Sequence, residues 1–176
     1  DATLHLEEGQ ARELSFAAGI DSYQGFIVRT SYADRNLFGE LLGFSTGFEF
    51  SSRGVLGETK LTDPWLFGSD AAGTARIFAL IYGRDGYTSL ETGIEGKVTW
   101  KFDDHYGLEF LAASSIVNVT ENGLPVSELG ETSYTHTLLR ATQTIDFRDS
   151  AVLPKKGWHL EFPFEVGAAV GTFSTA

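Results

Sequence analysis

The sequence predicts an all-β fold of long antiparallel strands, and it favours a transmembrane β-barrel over a soluble sandwich or a lipocalin-type barrel. Apolar and polar residues alternate with a period of two along most of the 176-residue chain, which is typical of strands with one apolar face. Several alternating segments are much longer than the ~5–6 residues of an average strand in a soluble protein. Aromatic residues stand near the predicted strand ends, where membrane barrels have their aromatic girdles.

The N-terminal residues form a separate unit in this prediction. Residues 2–8 are predicted as a short strand that ends at Gly9, and their composition differs from that of the segments that follow. We therefore predict that residues 1–9 end a preceding domain and that residues 10–176 belong to the barrel.

Four strands are predicted in the next part of the chain, separated by turn residues. In the third of them, Leu42, Phe44 and Phe48 alternate with glycine, serine and glutamate. Asp, Asn, Gly and Ser cluster between the strands, where their side chains and backbone freedom favour turns. These strands are predicted at residues 11–20, 25–34, 41–52 and 55–63.

Five further strands complete the predicted meander. In the second of them, Leu90, Ile94 and Trp100 alternate with Glu91 and Lys97. Short links between consecutive strands favour antiparallel pairing, because parallel pairs need a long crossover. These strands are predicted at residues 73–84, 88–102, 106–119, 132–146 and 157–171.

The polar positions of these strands include many charged residues. A small dry core does not hold so many charges, whereas a solvated barrel lumen does. This observation favours the membrane barrel among the all-β alternatives. The charged positions are Arg29, Glu49, Glu58, Lys60, Arg76, Glu91, Glu95, Lys97, Glu109 and Glu161.

Composition and motifs argue against several classes of function. A net charge of −11 argues against a nucleic-acid-binding protein, which normally has a basic patch. The absence of cysteine removes disulfides, thiolate metal sites and cysteine nucleophiles. The sequence has no phosphate-binding glycine loop, and its one G-x-S-x-G match, residues 43–47, lies inside a predicted strand and not at the strand-to-helix turn of a nucleophile elbow. Asp103, Asp104 and His105 share one turn without a second ligand cluster, so we predict no metal, no cofactor, no catalytic residue and no enzymatic activity.

Three turn segments of the sequence form a set of motifs at defined positions between the predicted strands. Residues 31–39 read S-Y-A-D-R-N-L-F-G, residues 61–68 read L-T-D-P-W-L-F-G, and residues 146–158 begin D-F-R-D and end L-P-K-K-G-W. These segments resemble motifs of the Omp85 superfamily (surface antigen D15-like proteins), whose members are outer-membrane assembly and translocation barrels. They stand in the order and spacing of the family's turns after the second strand, at the end of the fourth strand, and before a mid-barrel strand. The residues that match these motifs are Asp34, Arg35, Asn36, Gly39, Asp63, Pro64, Trp65, Asp146, Arg148, Asp149, Pro154 and Gly157.

The resemblance implies a sixteen-stranded barrel in the bacterial outer membrane, preceded by periplasmic POTRA domains. About nine strands fit in this chain, and the family's later V-R-G-[FY] loop motif is not in it, so we expect the N-terminal half of a barrel. Residues 1–9 are then the end of a POTRA-like domain. The implied partners are outer-membrane lipid and nascent outer-membrane proteins or autotransporters as clients, with periplasmic or lipoprotein subunits in addition and no nucleic acid.

The resemblance also singles out the first barrel strand, which borders a lateral seam in the family. The free edge of such a strand can template an incoming client strand by β-augmentation. In this chain Gly19 and small neighbours weaken the strand locally, which favours opening; the alternative is an ordinary wall strand. Leu14, Phe16 and Ala18 are expected to face lipid. The predicted client-strand-binding residues are Glu13, Leu14, Ser15, Phe16, Ala17, Ala18, Gly19 and Ile20.

Two functional alternatives remain open from the sequence. One is a barrel that anchors an upstream passenger domain, such as a lipase-type enzyme, in the membrane. The other is a soluble ligand-binding β-barrel, in which the charged faces would be exterior and the Phe-rich faces would line a cavity. Protein assembly by strand templating is the function that the resemblance favours.

Overall fold

The computed structural model describes residues 10–171, which form nine β-strands, a 3₁₀ turn at Leu66–Gly68 and a short helix at Val126–Leu129. The predicted strand at residues 2–8 and the domain boundary at residue 9 lie outside the described residues. The strands are β1 (Arg12–Asp21), β2 (Gly25–Leu37), β3 (Leu42–Ser51), β4 (Gly54–Asp63), β5 (Ala71–Arg84), β6 (Gly86–Lys101), β7 (Tyr106–Asn122), β8 (Ser133–Asp146) and β9 (His159–Gly171).

The nine strands form one open antiparallel sheet in the order of the sequence, from β1 to β9. Each strand pairs with its neighbours in the chain, so the topology is the predicted meander. The all-β fold class and the number of barrel strands predicted for residues 10–171 are confirmed. Within the described residues, β1 and β9 are the two edges of the sheet.

Several strands continue beyond the predicted limits, because the neighbouring strand continues opposite them and pairs with the additional residues. β5 begins at Ala71, which pairs with Trp100 of β6, whereas the sequence predicts a start at residue 73. β7 continues to Asn122, opposite Gly86, three residues past the predicted end. Gly, Ala and Asn have low strand propensity, and cross-strand pairing overrides that propensity here.

One face of the sheet has no charged side chain except at one end, and we call it the charge-free face. Its Asp, Glu, Lys, Arg and His residues within the described strands are Arg12, Asp34 and Asp63. Every strongly exposed large hydrophobic side chain of the nine strands lies on this face, as the pairing register shows. Ile94, near the middle of β6, is 62% exposed. A soluble monomer rarely exposes so large an apolar surface, whereas a bilayer would cover it.

The opposite face, the charged face, has ion pairs that join neighbouring strands. Arg29 of β2 binds Glu49 of β3, with Nε 2.8 Å from Oε2. Arg76 of β5 lies between Glu58 of β4, at 2.8 Å, and Glu95 of β6, at 3.7 Å. Such half-exposed pairs contribute only ~0–1 kcal/mol each, so their main effect is to make this face polar.

The strand connections lie on two rims. The first rim contains the start of β1 and the β2–β3, β4–β5, β6–β7 and β8–β9 connections. The second rim contains the tight turns after β1, β3 and β5 and the β7–β8 connection, where the short helix lies. All three tryptophans, Trp65, Trp100 and Trp158, lie at the first rim. Within residues 10–171, no helix is long and apolar enough to cross a membrane.

Candidate functional site

The predicted client-strand-binding residues lie on the sheet edge formed by β1. β1 pairs with β2 in continuous register from Arg12–Asp34 to Asp21–Gly25, and no other described strand pairs with it. Its second edge therefore presents backbone N–H and C=O groups that can accept another strand. Nearly all of its residues are exposed, including Ile20 at 88%.

The register divides these residues between the two faces of the sheet. Leu14 lies opposite Tyr32 on the charge-free face, together with Phe16, Ala18 and Ile20. Ser15 lies opposite Ser31 on the charged face, together with Glu13, Ala17 and Gly19. This is the division that the alternation of the sequence predicts.

Side-chain contacts hold β1 at both of its ends. At the first rim, Arg12 donates from Nε to Oδ2 of Asp34 at 3.0 Å, and Arg35 pairs with Glu13 at 3.3 Å. At the second rim, the carboxylate of Asp21 accepts two backbone N–H groups of the following turn at 2.8 Å. Between these ends, the backbone ladder holds β1 to β2, and a Cβ added at Gly19 would meet nothing within 4 Å.

The first motif closes the β2–β3 turn at the first rim. Asp34 is 3% exposed and accepts the backbone N–H of Asn36 at 3.0 Å in addition to the Arg12 bond. Asn36 Oδ1 in turn accepts the N–H of Leu41 at 2.8 Å. The turn needs a left-handed residue at Gly39, where φ is +78°. The motif thus builds the turn and anchors the first residue of the β1 edge.

The second motif closes the β4–β5 connection, also at the first rim. Asp63 Oδ1 accepts the N–H of Trp65 at 2.9 Å, which is an Asx turn across Pro64. Gly68 donates from its N–H to Trp65 O at 2.7 Å and has a φ of +73°. These bonds turn the chain so that Leu66 lies against β5.

The third motif begins the β8–β9 loop at the same rim. Arg148 donates from Nε to Asp146 Oδ1 at 2.9 Å and from Nη2 to Oδ2 at 2.6 Å, a bidentate pair. His159 lies on the other side of the carboxylate, with Nδ1 3.3 Å from Oδ2. Asp146 therefore joins the end of β8 to the start of β9.

Backbone contacts close the rest of this loop. Asp149 Oδ1 accepts the N–H groups of Lys155, at 2.9 Å, and Lys156, at 3.1 Å. Pro154 is exposed in the same loop. Gly157 has a φ of +98°, and a Cβ there would lie 2.0 Å from Phe147 O. Lys155 and Lys156 thus help to close the β8–β9 loop through their backbone N–H groups.

Acidification is expected to loosen this loop through Asp149. The N–H groups of Lys155 and Lys156 hold the pKa of the Asp149 carboxyl below its ordinary value. A group whose folded pKa is lowered stabilises the fold above its unfolded pKa of ~3.9, and this contribution is lost as pH falls through the lowered value. The hydrogen-exchange protection factors of the two lysine amides should therefore fall as the pH is lowered from about 4 through the lowered pKa of Asp149.

The matched variant for this prediction is Asp149→Asn, whose amide oxygen accepts hydrogen bonds without titrating. Its protection factors should vary less with pH over the same range. Equal pH dependence in the two proteins would show that Asp149 does not control the loop.

An aromatic cluster at the first rim was not predicted from the sequence. The ring of Phe147 stacks on His105 with a centroid distance of 4.5 Å, lies 4.9 Å from Trp158, and meets Tyr106 edge-on at 5.9 Å. His105 Nδ1 also lies 2.8 Å from Asp146 O. The cluster joins the β6–β7 turn to the β8–β9 loop, so the first rim is braced across neighbouring connections.

Arg12 was also missed as a site residue, although the sequence contains the signal. In a hairpin whose turn lies at residues 22–24, each step back along β1 is matched by one step forward along β2. This register brings Arg12 opposite Asp34. The aromatic cluster has no such local signal, because its members are brought together by the register of two hairpins. Among the side chains of the described residues, no group of three or more His, Asp and Glu could hold a metal ion.

Comparisons with known proteins support the fold. A solved structure of BamA from Haemophilus ducreyi lacking POTRA domains 1–3 superposes with a TM-score of 0.71 over 92% of this chain, at 11% sequence identity. The chain spans 35% of the length of that structure. No protein-family model matches the sequence, and no curated protein matches it. The chain therefore has the fold of part of a BamA-like barrel.

Proposed function

We propose that this chain is part of an Omp85-superfamily barrel of the bacterial outer membrane that assembles, inserts or translocates other proteins. The client strand pairs with the free edge of β1, and the protein acts without catalysing a covalent reaction. The observation that supports this most directly is an exposed edge strand in a BamA-like sheet whose charge-free face suits lipid.

The direction of the strands supports a role for additional strands. β1 and β9 run in the same direction, because each of the eight antiparallel pairings between them reverses the chain. They cannot close on each other as an antiparallel pair, so a barrel whose neighbouring strands are all antiparallel needs an odd number of further strands between them. In a bilayer, unpaired edge groups cost several kcal/mol each, so both edges must be covered. A client strand is one way to cover the β1 edge.

The contacts of β1 suit reversible exchange at this edge. The strand is held by side chains at Arg12 and Asp21 and by the backbone ladder between them. Ala17, Ala18 and Gly19 add little side-chain packing in its second half. A client can therefore pair with the free edge while β1 stays attached to β2.

The charge-free face gives the proposed location and the lipid partner. Outer-membrane lipid covers this face, and the charged face lines a hydrated lumen. Residues 1–9 are predicted to end a periplasmic POTRA-like domain, and β1 starts at the first rim. The first rim therefore faces the periplasm, where POTRA-like domains and periplasmic or lipoprotein subunits bind. The assignment of residues 1–9 to such a domain remains a prediction.

The proposal predicts a cross-link between β1 and a client. The chain has no cysteine, so a Ser15→Cys variant has a single thiol. During insertion of an outer-membrane barrel protein with a cysteine in its terminal strand, Ser15→Cys should form a disulfide with the client. Ser45→Cys is the matched control, because Ser45 also lies on the charged face and is half-buried like Ser15, but it belongs to β3, which is paired on both sides.

The failure of this experiment is informative. A Ser15→Cys protein that supports client insertion without forming the cross-link would contradict strand templating. If client insertion is unchanged when a disulfide closes the free edge of β1, residues 13–20, against the strand across the lateral seam, the edge does not act on clients. A membrane-embedded barrel that affects no client would be an anchor for a passenger domain.

A further inference from the structure

The charge-free face contains a groove of about 670 Å³ next to the first rim. Its floor is a row of small residues that pair across three strands, Ala75 of β5, Gly96 of β6 and Ala112 of β7. Larger side chains stand beside this row, among them Phe110 and Leu139. The volume lies within the ~300–1,000 Å³ of ordinary small-molecule sites.

The β4–β5 connection forms one wall of this groove. Leu66 and Phe67 line it, and Leu66 lies over Gly73, where a Cβ would be 2.8 Å from Leu66 Cδ1. Because Gly73 has no side chain, the β4–β5 connection can fold back onto the sheet at this position. Phe67 is 96% exposed and has a left-handed backbone, with φ +54°, which is rare for a bulky residue.

The chemistry of the groove indicates an occupant without polar groups. Lys97 and Arg140 adjoin it, but their side chains belong to the charged face. Asp63, at the first-rim end, engages the N–H of Trp65. The strands β5 to β8 that form most of the floor and walls are paired on both sides. A peptide lying here would have no sheet edge to pair with, and its backbone groups would stay unsatisfied in a bilayer.

We propose that this groove binds one acyl chain of a membrane lipid, held between the β4–β5 connection and the wall of β5–β9. The site rests on the proposed function in one respect, which is that the charge-free face meets the bilayer. The groove is continuous with that face, so a chain enters from the adjacent leaflet. Trp65 lies at the interface beside it, and Phe67 extends into the hydrocarbon.

The test is photo-cross-linking with phosphatidylcholine that has a diazirine in its acyl chain. The protein is reconstituted in phosphatidylcholine vesicles with a trace of this probe, and labelled peptides are identified by mass spectrometry. Peptides with Phe67 and Phe110 should be labelled roughly tenfold more than the peptide with Phe16. This is the preference that the burial of two extra methylene groups would give.

Two glycine variants make a matched pair for this test. Gly96 and Gly57 both lie on the charge-free face, and a Cβ at either would meet nothing within 4 Å. Gly96→Leu fills the floor of the groove and should remove the tenfold preference. Gly57→Leu adds the same side chain on β4, outside the groove, and should leave the preference intact.

Three labelling patterns would overturn the proposed site, and each has a different meaning. Equal labelling along the whole face, unchanged by Gly96→Leu, would show that the face meets lipid without a bound chain. A groove protected from label beside a labelled Phe16 would show that a protein segment covers it. Absence of label from the whole face would overturn the membrane location itself, and with it that part of the proposed function.

Discussion

Replacing Ile94 by arginine is expected to lower the free energy of unfolding of the bilayer-inserted protein by about 2–4 kcal/mol. Ile94 lies near the middle of β6 on the charge-free face. An arginine at the midplane of a membrane barrel costs this much, because the guanidinium must leave water for hydrocarbon. Urea unfolding of the protein in phospholipid vesicles, followed by tryptophan fluorescence, measures the change.

The control for this prediction is an arginine substitution at a different depth in the membrane. Thr88 lies on the same strand and the same face but close to the second rim. Thr88→Arg should cost only about 0–1 kcal/mol, because its side chain reaches the interface.

The same pair of variants separates the membrane barrel from a soluble β-barrel. The side chain of Ile94 is already largely exposed, so in water an arginine there would cost little. Equal stability of Ile94→Arg and Thr88→Arg would contradict a bilayer around the charge-free face.

Replacing Gly157 by alanine is expected to open the β8–β9 loop. The added Cβ would lie 2.0 Å from Phe147 O and 2.7 Å from Arg148 Cα, both on the backbone, so the loop must move. The positive φ adds strain of about 1–3 kcal/mol. The amides of Phe147 and Asp149, which bond to Trp158 O and Lys156 O, should lose at least about a hundredfold in hydrogen-exchange protection.

Gly123→Ala is the control that separates the effect of the steric clash from the effect of the positive φ. Gly123 has a φ of +106°, close to that of Gly157, but a Cβ there would meet nothing within 4 Å. Its neighbour Leu124, whose amide bonds to Gly86 O, should lose only about tenfold in protection. If the two alanine variants behave alike, the close approach to Phe147 O does not limit the loop.

The strands were predictable because their signal is local. Each strand from β1 to β9 shows its alternation within its own residues, and the turn residues between them are separate signals. The limits of the strands were less predictable: β7 continues to Asn122 because β6 extends opposite it. The distribution of residues between the two faces followed from the same period of two.

The motif residues of the candidate site were found in sequence, but their contacts were not. Asp34, Asp63 and Asp146 are recognisable as turn residues. That Asp34 holds Arg12, and so the start of the β1 edge, depends on the register of the first hairpin. That Phe147 joins His105 to Trp158 depends on two hairpins that meet at one rim.

The sequence by itself determined the all-β class, the order of the strands and the separation of charged from charge-free positions, because each depends on neighbouring residues. The tertiary structure decided which residues stand side by side across the sheet. The row of Ala75, Gly96 and Ala112 is one case, and the position of Leu66 over Gly73 is another. Such contacts join residues of different strands, and only the pairing register and the path of the connections bring them together.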